Sequence, residues 1–113
     1  NPDLSRFRAR GGKLLHYHGL ADPVVSPLDT LAYRSSVMRA MQLTPERLAT
    51  WFRLFLVPGM GHCAGGPGFT AFDAQTAIEH WVENGRPPDA LSTTSSRQPG
   101  RTRLLRPVGA PTS

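Results

Sequence analysis

The run FRLFLVPG, from Phe52 to Gly59, constrains the fold of this chain more than any other stretch. Its first six residues are apolar except for one arginine, they show no alternation, and Pro58 and Gly59 then end the run. A half-buried strand alternates apolar and polar residues, whereas a strand covered on both faces reads as a continuous apolar run. The stretch therefore predicts a β-strand in the interior of a sheet, with other elements packed on both of its faces.

A second strand is predicted closer to the amino terminus. The segment GGKLLHYHG gives a strand over residues 13–18 that ends at Gly19. The alternation of a strand places Leu15 and Tyr17 on one face. The opposite face carries Leu14, His16 and His18. The two faces of this strand therefore differ in chemistry, because both histidines lie on the same one.

Each predicted strand is followed by a predicted helix. Ser26 suits the N-cap of the first helix, Pro27 its first position, and Asp29 follows three residues after the cap. Thr44 suits the N-cap of a short second helix. In the first helix, the 3.6-residue period predicts a core-facing stripe: Leu28, Leu31, Ala32, Ser35 and Met38.

The helix after the second strand has a clearer apolar stripe and ends at Gly85. The stripe consists of Ala74, Ala77, Ile78, Trp81 and Val82. Residues 89–113 are expected to be mostly loop, with RTRLLRP as a candidate edge strand. The order strand, helix, strand, helix is typical of an α/β protein with a parallel sheet.

Two parallel strands are too few for an independent sheet, because all-parallel sheets are covered on both faces and have more strands. The chain has 113 residues and begins with Asn1 rather than methionine. We therefore expect it to be a segment of a longer protein. The remaining strands are expected to come from upstream residues of that protein or from self-association.

The charge of the chain does not indicate a nucleic-acid-binding protein. Lysine and arginine number 13 against 8 aspartates and glutamates, a formal net charge of +5. Several of the arginines lie in a tail rich in proline, serine and arginine, residues 91–113, which has no aromatic residues to stack on bases. No apolar run reaches the roughly 20 residues of a membrane span. We expect neither nucleic acid nor a membrane as a partner.

Two polar residues follow the predicted strands where open α/β sheets place their sites. Asp22 lies in the loop after the first strand and His62 in the loop after the second. Neighbouring parallel strands end at one edge of the sheet, so we expect these side chains to meet there. A carboxylate beside an imidazole fixes its tautomer, and the order Asp then His matches the end of a Ser–Asp–His triad. An aspartate before a proline is also a common turn former, and a histidine among glycines a common loop residue.

His16 and His18 raise the alternative of a metal site. Two histidines two residues apart on a strand point the same way and could share a metal ion. The sequence offers no recognisable third ligand, so we expect no metal. The favoured interpretation is that one histidine is packed and the other, at the strand end, supports the Asp22 loop.

Three blocks of the sequence resemble the carboxyl-terminal part of the tannase and feruloyl esterase family of α/β-hydrolases. The blocks are GGKLLHYHGLADPVVSP, FRLFLVPGMGHCAGGPG and FDAQTAIEHWVENGRPPD, and they span most of the chain from Gly11 to Asp89. The resemblance implies that residues 11–90 are the carboxyl-terminal part of an α/β-hydrolase catalytic domain, after a lead-in of residues 1–10. It also implies hydrolysis of esters of aromatic acids: galloyl esters, hydroxycinnamoyl esters or terephthalate half-esters.

The resemblance implies roles for three residues. Asp22 would be the orienting acid and His62 the general base and acid of the triad. Cys63 is the only cysteine, so the residues alone leave it either a free thiol or paired outside the chain. The resemblance implies a disulfide to a cysteine immediately before the catalytic serine. Such a bridge persists in an oxidising compartment, which implies a secreted or periplasmic protein.

The sequence departs from the family pattern in one respect that matters for activity. The family's serine lies in a Gly-Cys-Ser-x-Gly-Gly turn, which this sequence lacks. The nucleophile, the oxyanion donors and the family's lid, which can hold calcium, would lie upstream of Asn1. We therefore expect no cofactor in this segment and no ester hydrolysis by the segment alone. The rival hypothesis is a non-catalytic fragment or shortened paralogue that acts as an assembly module.

Overall fold

Two parallel strands form the centre of the structure. The computed structural model describes residues 1–61, 72–95 and 97–109. The elements are α1 (Ser5–Ala9), β1 (Leu14–Gly19), α2 (Pro27–Met41), α3 (Pro45–Leu48), β2 (Phe52–Val57), α4 (Ala74–Asn84), β3 (Leu91–Thr94) and β4 (Thr102–Leu105). β1 and β2 pair in parallel, from Leu14 opposite Phe52 to Gly19 opposite Val57. The predicted parallel arrangement is confirmed, and both strands end at the same edge.

β2 is covered on both faces, as its apolar run predicts. Phe52 and Leu54 lie on one face and Phe55 and Val57 on the other, and none of the four is more than 1% exposed. The first face packs against α2 and α3. The second packs against α4 and against β3 and β4, which pair with each other as an antiparallel hairpin. Because each such side chain contributes roughly 1.5–3 kcal/mol when buried, β2 anchors both halves of the core.

The start of α2 and the end of α4 lie at the residues that the capping signals predict. The Ser26 side chain accepts a hydrogen bond from the Leu28 backbone N–H at 3.1 Å, and Pro27 is the first residue of α2. Gly85 ends α4 in the left-handed conformation, with φ of 66°. Within the described ranges, no helix is long and apolar enough to cross a membrane.

The predicted core stripes of α2 and α4 are partly wrong. Leu28 is 71% exposed and Val82 is 62% exposed. The buried residues of α2 are Thr30 and Val37, with Leu31 and Met38 packed against the core as predicted. Ala32 and Ser35 are also not buried. Periodicity sets the spacing of a stripe but not which of its residues face the neighbouring strand. Leu28 and Val82 lie at the margins of their stripes and are therefore exposed.

The hairpin lies in the part of the chain that was expected to be mostly loop. β4 coincides with the candidate edge strand in RTRLLRP, whereas sequence reasoning did not predict β3. Leu91 and Thr93 of β3 are buried and Ser92 and Thr94 are exposed, so the alternation of a half-buried strand is present. The hairpin closes one face of the sheet, because Leu91 and Leu105 join the core beside β2.

Gly19, the last residue of β1, lets the chain after β2 cross the end of the sheet. A Cβ atom there would lie 2.6 Å from the carbonyl oxygen of Gly61 and closer still to that of Met60. No side chain fits between the two backbones. Gly19 therefore holds the loop after β2 against the loop after β1.

Replacing Gly19 by alanine tests this close approach. We expect Gly19→Ala to lower the free energy of unfolding by about 3 kcal/mol, because the clash is with backbone that cannot rotate away. Gly85→Ala is the matched control, because no atom lies within 4 Å of the added Cβ. Its cost is the left-handed backbone alone, about 1 kcal/mol. Urea unfolding measures both, and an equal or smaller loss for Gly19→Ala would contradict the packing described.

Candidate active site

Asp22 is held by its own loop at the carboxyl end of β1. Its Oδ1 accepts hydrogen bonds from the backbone N–H groups of Val24 at 2.8 Å and Val25 at 3.0 Å. Pro23 has no N–H, so the carboxylate reaches past it to the next two donors. The Asp22 side chain is only 4% exposed. The aspartate thus forms the expected turn and is also fixed and buried at the sheet edge.

His18 supports this loop, as the favoured interpretation of the two histidines predicts. Its Nε2 lies 2.9 Å from the carbonyl oxygen of Val25 and 3.2 Å from Oδ2 of Asp22. Its Nδ1 lies 2.5 Å from Oγ1 of Thr30 on α2. The side chain of His18 is 9% exposed. β1, the Asp22 loop and α2 are therefore joined through one imidazole.

The loop after β2 lies directly against the Asp22 loop. Leu20 N–H donates to the carbonyl oxygen of Val57 at 2.9 Å, and Ala21 N–H donates to that of Met60 at 3.0 Å. These two backbone hydrogen bonds thus fix the end of β2 and the following loop as far as Met60. His62 and Cys63 lie outside the described residues, so the contact between Asp22 and His62 stays a prediction.

A cleft of about 320 Å³ opens beside the Asp22 carboxylate. Its wall combines polar groups from β1 and α2 with apolar side chains from the two loops. The lining residues are His16, Tyr17, His18, Gly19, Asp22, Val25, Thr30 and Met60. Sequence reasoning did not single out Thr30 or Met60. Met60 could have been found as a residue of the loop before His62, whereas Thr30 reads as an ordinary polar residue of a helix.

His16 lies two residues before His18 on β1 and packs near β2. Its ring centroid is 6.3 Å from that of Phe52 on β2. Burial lowers the pKa of His16 below its usual value of 6.5, and the charge of His18 lowers it further. Residues 1–61, 72–95 and 97–109 contain no group of three or more His, Cys, Asp or Glu side chains that could hold a metal ion.

The family model described as Tannase and feruloyl esterase matches residues 1–108. The chain belongs to the tannase and feruloyl esterase family. Its resemblance in sequence blocks is thereby confirmed over nearly the whole chain.

Several members of the family with assigned activities are similar to this chain. It is 47% identical over 111 residues to a mono(2-hydroxyethyl) terephthalate hydrolase of Piscinibacter sakaiensis. This match covers 93% of this chain and 18% of that protein. It is also 35% identical over 115 residues to a tannase of Aspergillus oryzae. This second match covers 92% of this chain and 20% of that protein. The chain thus spans about a fifth of the length of these relatives.

Solved structures of the family share the fold of this chain. The crystal structure of feruloyl esterase B from Aspergillus oryzae superimposes with a TM-score of 0.90 at 30% identity, over 96% of this chain and 25% of the other. The tannin acyl hydrolase from Aspergillus niger gives a TM-score of 0.80 at 32% identity, over 96% of this chain and 22% of the other. The predicted fold class is confirmed: this family member has the architecture of part of an α/β-hydrolase, with a small parallel sheet.

The lowered pKa of His16 predicts how stability changes with pH. The folded state binds the proton less readily than the unfolded state, so stability falls as the pH drops below about 6.5 toward the folded pKa. We expect His16→Leu to make the free energy of unfolding less dependent on pH in this range. Urea unfolding between about pH 7.5 and pH 5 measures the effect. An unchanged pH dependence in the variant would contradict the assignment of burial as the cause.

Proposed function

We propose that this chain is part of a serine carboxylesterase that hydrolyses esters of aromatic acids. In this proposal Asp22 is the orienting acid and His62 the general base and acid, and the serine lies outside the chain. The chain's membership of an esterase family supports the reaction type, and the arrangement around Asp22 supports the residue assignment.

The position of the Asp22 carboxylate is the observation that carries the assignment. It is buried and fixed by two backbone N–H groups at the carboxyl end of a parallel strand. The loop beside it continues, one residue after Gly61, into His62. In this proposal the carboxylate and the imidazole come from adjacent loops at the edge where α/β sheets hold their sites.

The chemistry proposed for these residues is acyl transfer in two steps. His62 takes the proton of the serine hydroxyl as the serine oxygen attacks the ester carbonyl, and Asp22 stabilises the imidazolium that forms. His62 then gives this proton to the leaving alcohol, which leaves an acyl-serine. In the second step His62 takes a proton from water, the hydroxide attacks the acyl group, and the serine regains its proton as the carboxylic acid departs.

The proposed substrate class follows from what the relatives have in common. Their names specify a terephthalate half-ester, feruloyl esters and tannins, all of which contain an aromatic acyl group. The shared chemistry is an aromatic ring conjugated to, or bearing, the ester carbonyl. We propose esters of this kind for the longer protein and make no choice among them.

The surface around the Asp22 loop supports a role within a larger catalytic domain. Four apolar side chains there are between 39% and 71% exposed: Leu20, Val24, Val25 and Leu28. An exposed apolar patch of this kind marks a contact surface. We propose that upstream residues of the same protein cover it and complete the sheet.

A disulfide through Cys63 to the serine loop, and with it a secreted or periplasmic location, belongs to the same proposal.

Two substitutions in the longer protein test the assignment. We expect Asp22→Asn and His62→Ala each to lower kcat/KM for methyl ferulate or methyl gallate by about 10³- to 10⁴-fold, because each removes a member of the triad. Asp29→Asn is the matched control, since it removes the same charge from the exposed first turn of α2. We expect its activity to stay within about twofold of the wild type.

Circular dichroism of each variant separates loss of catalysis from loss of fold. Retention of more than about a tenth of the activity by a folded Asp22→Asn variant would contradict the role of Asp22, because orientation by a charged carboxylate is worth far more.

A further inference from the structure

A chain of three side chains connects α2 to the candidate catalytic carboxylate. Thr30 Oγ1 contacts His18 Nδ1 at 2.5 Å, and His18 Nε2 lies 3.2 Å from Asp22 Oδ2. We infer that Thr30 and His18 are positioning residues, which hold the Asp22 carboxylate in the orientation that catalysis needs. This inference rests on the proposed function, because it takes Asp22 as the orienting acid.

The partners of His18 determine which of its nitrogens carries the proton. Nε2 faces two acceptors, the carbonyl oxygen of Val25 and the carboxylate of Asp22. A bare nitrogen lone pair against two oxygens would be repelled, so Nε2 must carry hydrogen. In the neutral ring Nδ1 is then an acceptor, and the Thr30 hydroxyl donates to it. Thr30 therefore stabilises the tautomer in which His18 can donate toward Asp22.

The same contacts exclude His18 as the general base of the triad. A general base needs one ring nitrogen to orient it and the other free to take the proton of the nucleophile. Nδ1 of His18 accepts from Thr30, and Nε2 donates to Val25 and Asp22. The ring is also only 9% exposed. Its role is therefore to hold the loop, and the general base must be a different histidine.

The sequence builds this connection through the start of α2. Ser26 and Pro27 fix the first turn of the helix, and Thr30 follows on the face that points back to β1. Thr30 is 7% exposed, so its hydroxyl needs a partner inside the protein, and His18 provides one. The Asp22 loop is therefore tied to β1 through His18 and to α2 through Thr30.

A matched pair of substitutions at Thr30 tests the inference in the longer protein. Thr30→Val keeps the shape of the side chain and removes the hydroxyl, whereas Thr30→Ser keeps the hydroxyl. We expect Thr30→Val to lower kcat for methyl ferulate or methyl gallate about tenfold with little change in KM, because a misplaced Asp22 affects the reaction and not substrate binding. Thr30→Ser should restore most of that loss.

A double substitution separates positioning from simple packing. His18→Gln keeps an N–H donor at the end of the side chain and has no tautomer to set. In the His18→Gln background, Thr30→Val should therefore change kcat less than about twofold, against the tenfold loss in the presence of His18. A packing role for Thr30 would give the same loss in both backgrounds and would overturn the inference.

Nuclear magnetic resonance of ¹⁵N-histidine-labelled protein provides a readout that needs no activity. Loss of one signal in His18→Gln assigns the ring of His18. We expect the Nε2–H tautomer in the wild type at about pH 8, where an ordinary imidazole is neutral, and a mixture with the Nδ1–H tautomer in Thr30→Val. An Nδ1–H ring in the wild type would overturn the inference. Absence of any ester hydrolysis by the wild type, with the tautomers as expected, would instead count against the proposed function.

Discussion

The parallel pairing of β1 and β2 is the interaction on which the rest of the structure depends. Because Gly19 lies opposite Val57, the two strands end together and their following loops start side by side. The hydrogen bonds from Leu20 to the end of β2 and from Ala21 to Met60 then hold the two loops in contact. Only strands that end at the same edge bring a carboxylate that follows one strand within reach of an imidazole that follows the other. The burial of β2 on both faces stabilises this pairing.

The candidate site is polar in a part of the molecule where polar groups are expensive to bury. Both carboxylate oxygens of Asp22 have defined partners: two backbone N–H groups donate to one oxygen, and the His18 ring lies beside the other. A buried carboxylate is costly unless such donors surround it. The loop therefore combines two functions, since the same hydrogen bonds that make burial tolerable also fix the direction of the carboxylate.

Much of the fold could be predicted because its signals are local. The apolar run of β2 and the Ser26–Pro27 start of α2 depend on neighbouring residues, and both are confirmed. Leu28 was misplaced because its exposure depends on how α2 sits against the sheet, which periodicity does not specify. Thr30 was missed for the same reason: its partner, His18, lies twelve residues away and on another element. β3 is not predicted from the sequence because it has only four residues, and three of them, Ser92, Thr93 and Thr94, are hydroxyl residues that are also common in loops.

The central claim is that Asp22 orients His62. The most direct measurement is a crystal structure of the longer protein of which we propose this chain is a part, with the distance between an Asp22 carboxylate oxygen and the nearer imidazole nitrogen of His62. The account predicts a hydrogen bond of about 3 Å. A separation of more than about 6 Å in a well-ordered sheet would contradict it, because even a loose contact in the absence of substrate is shorter than that.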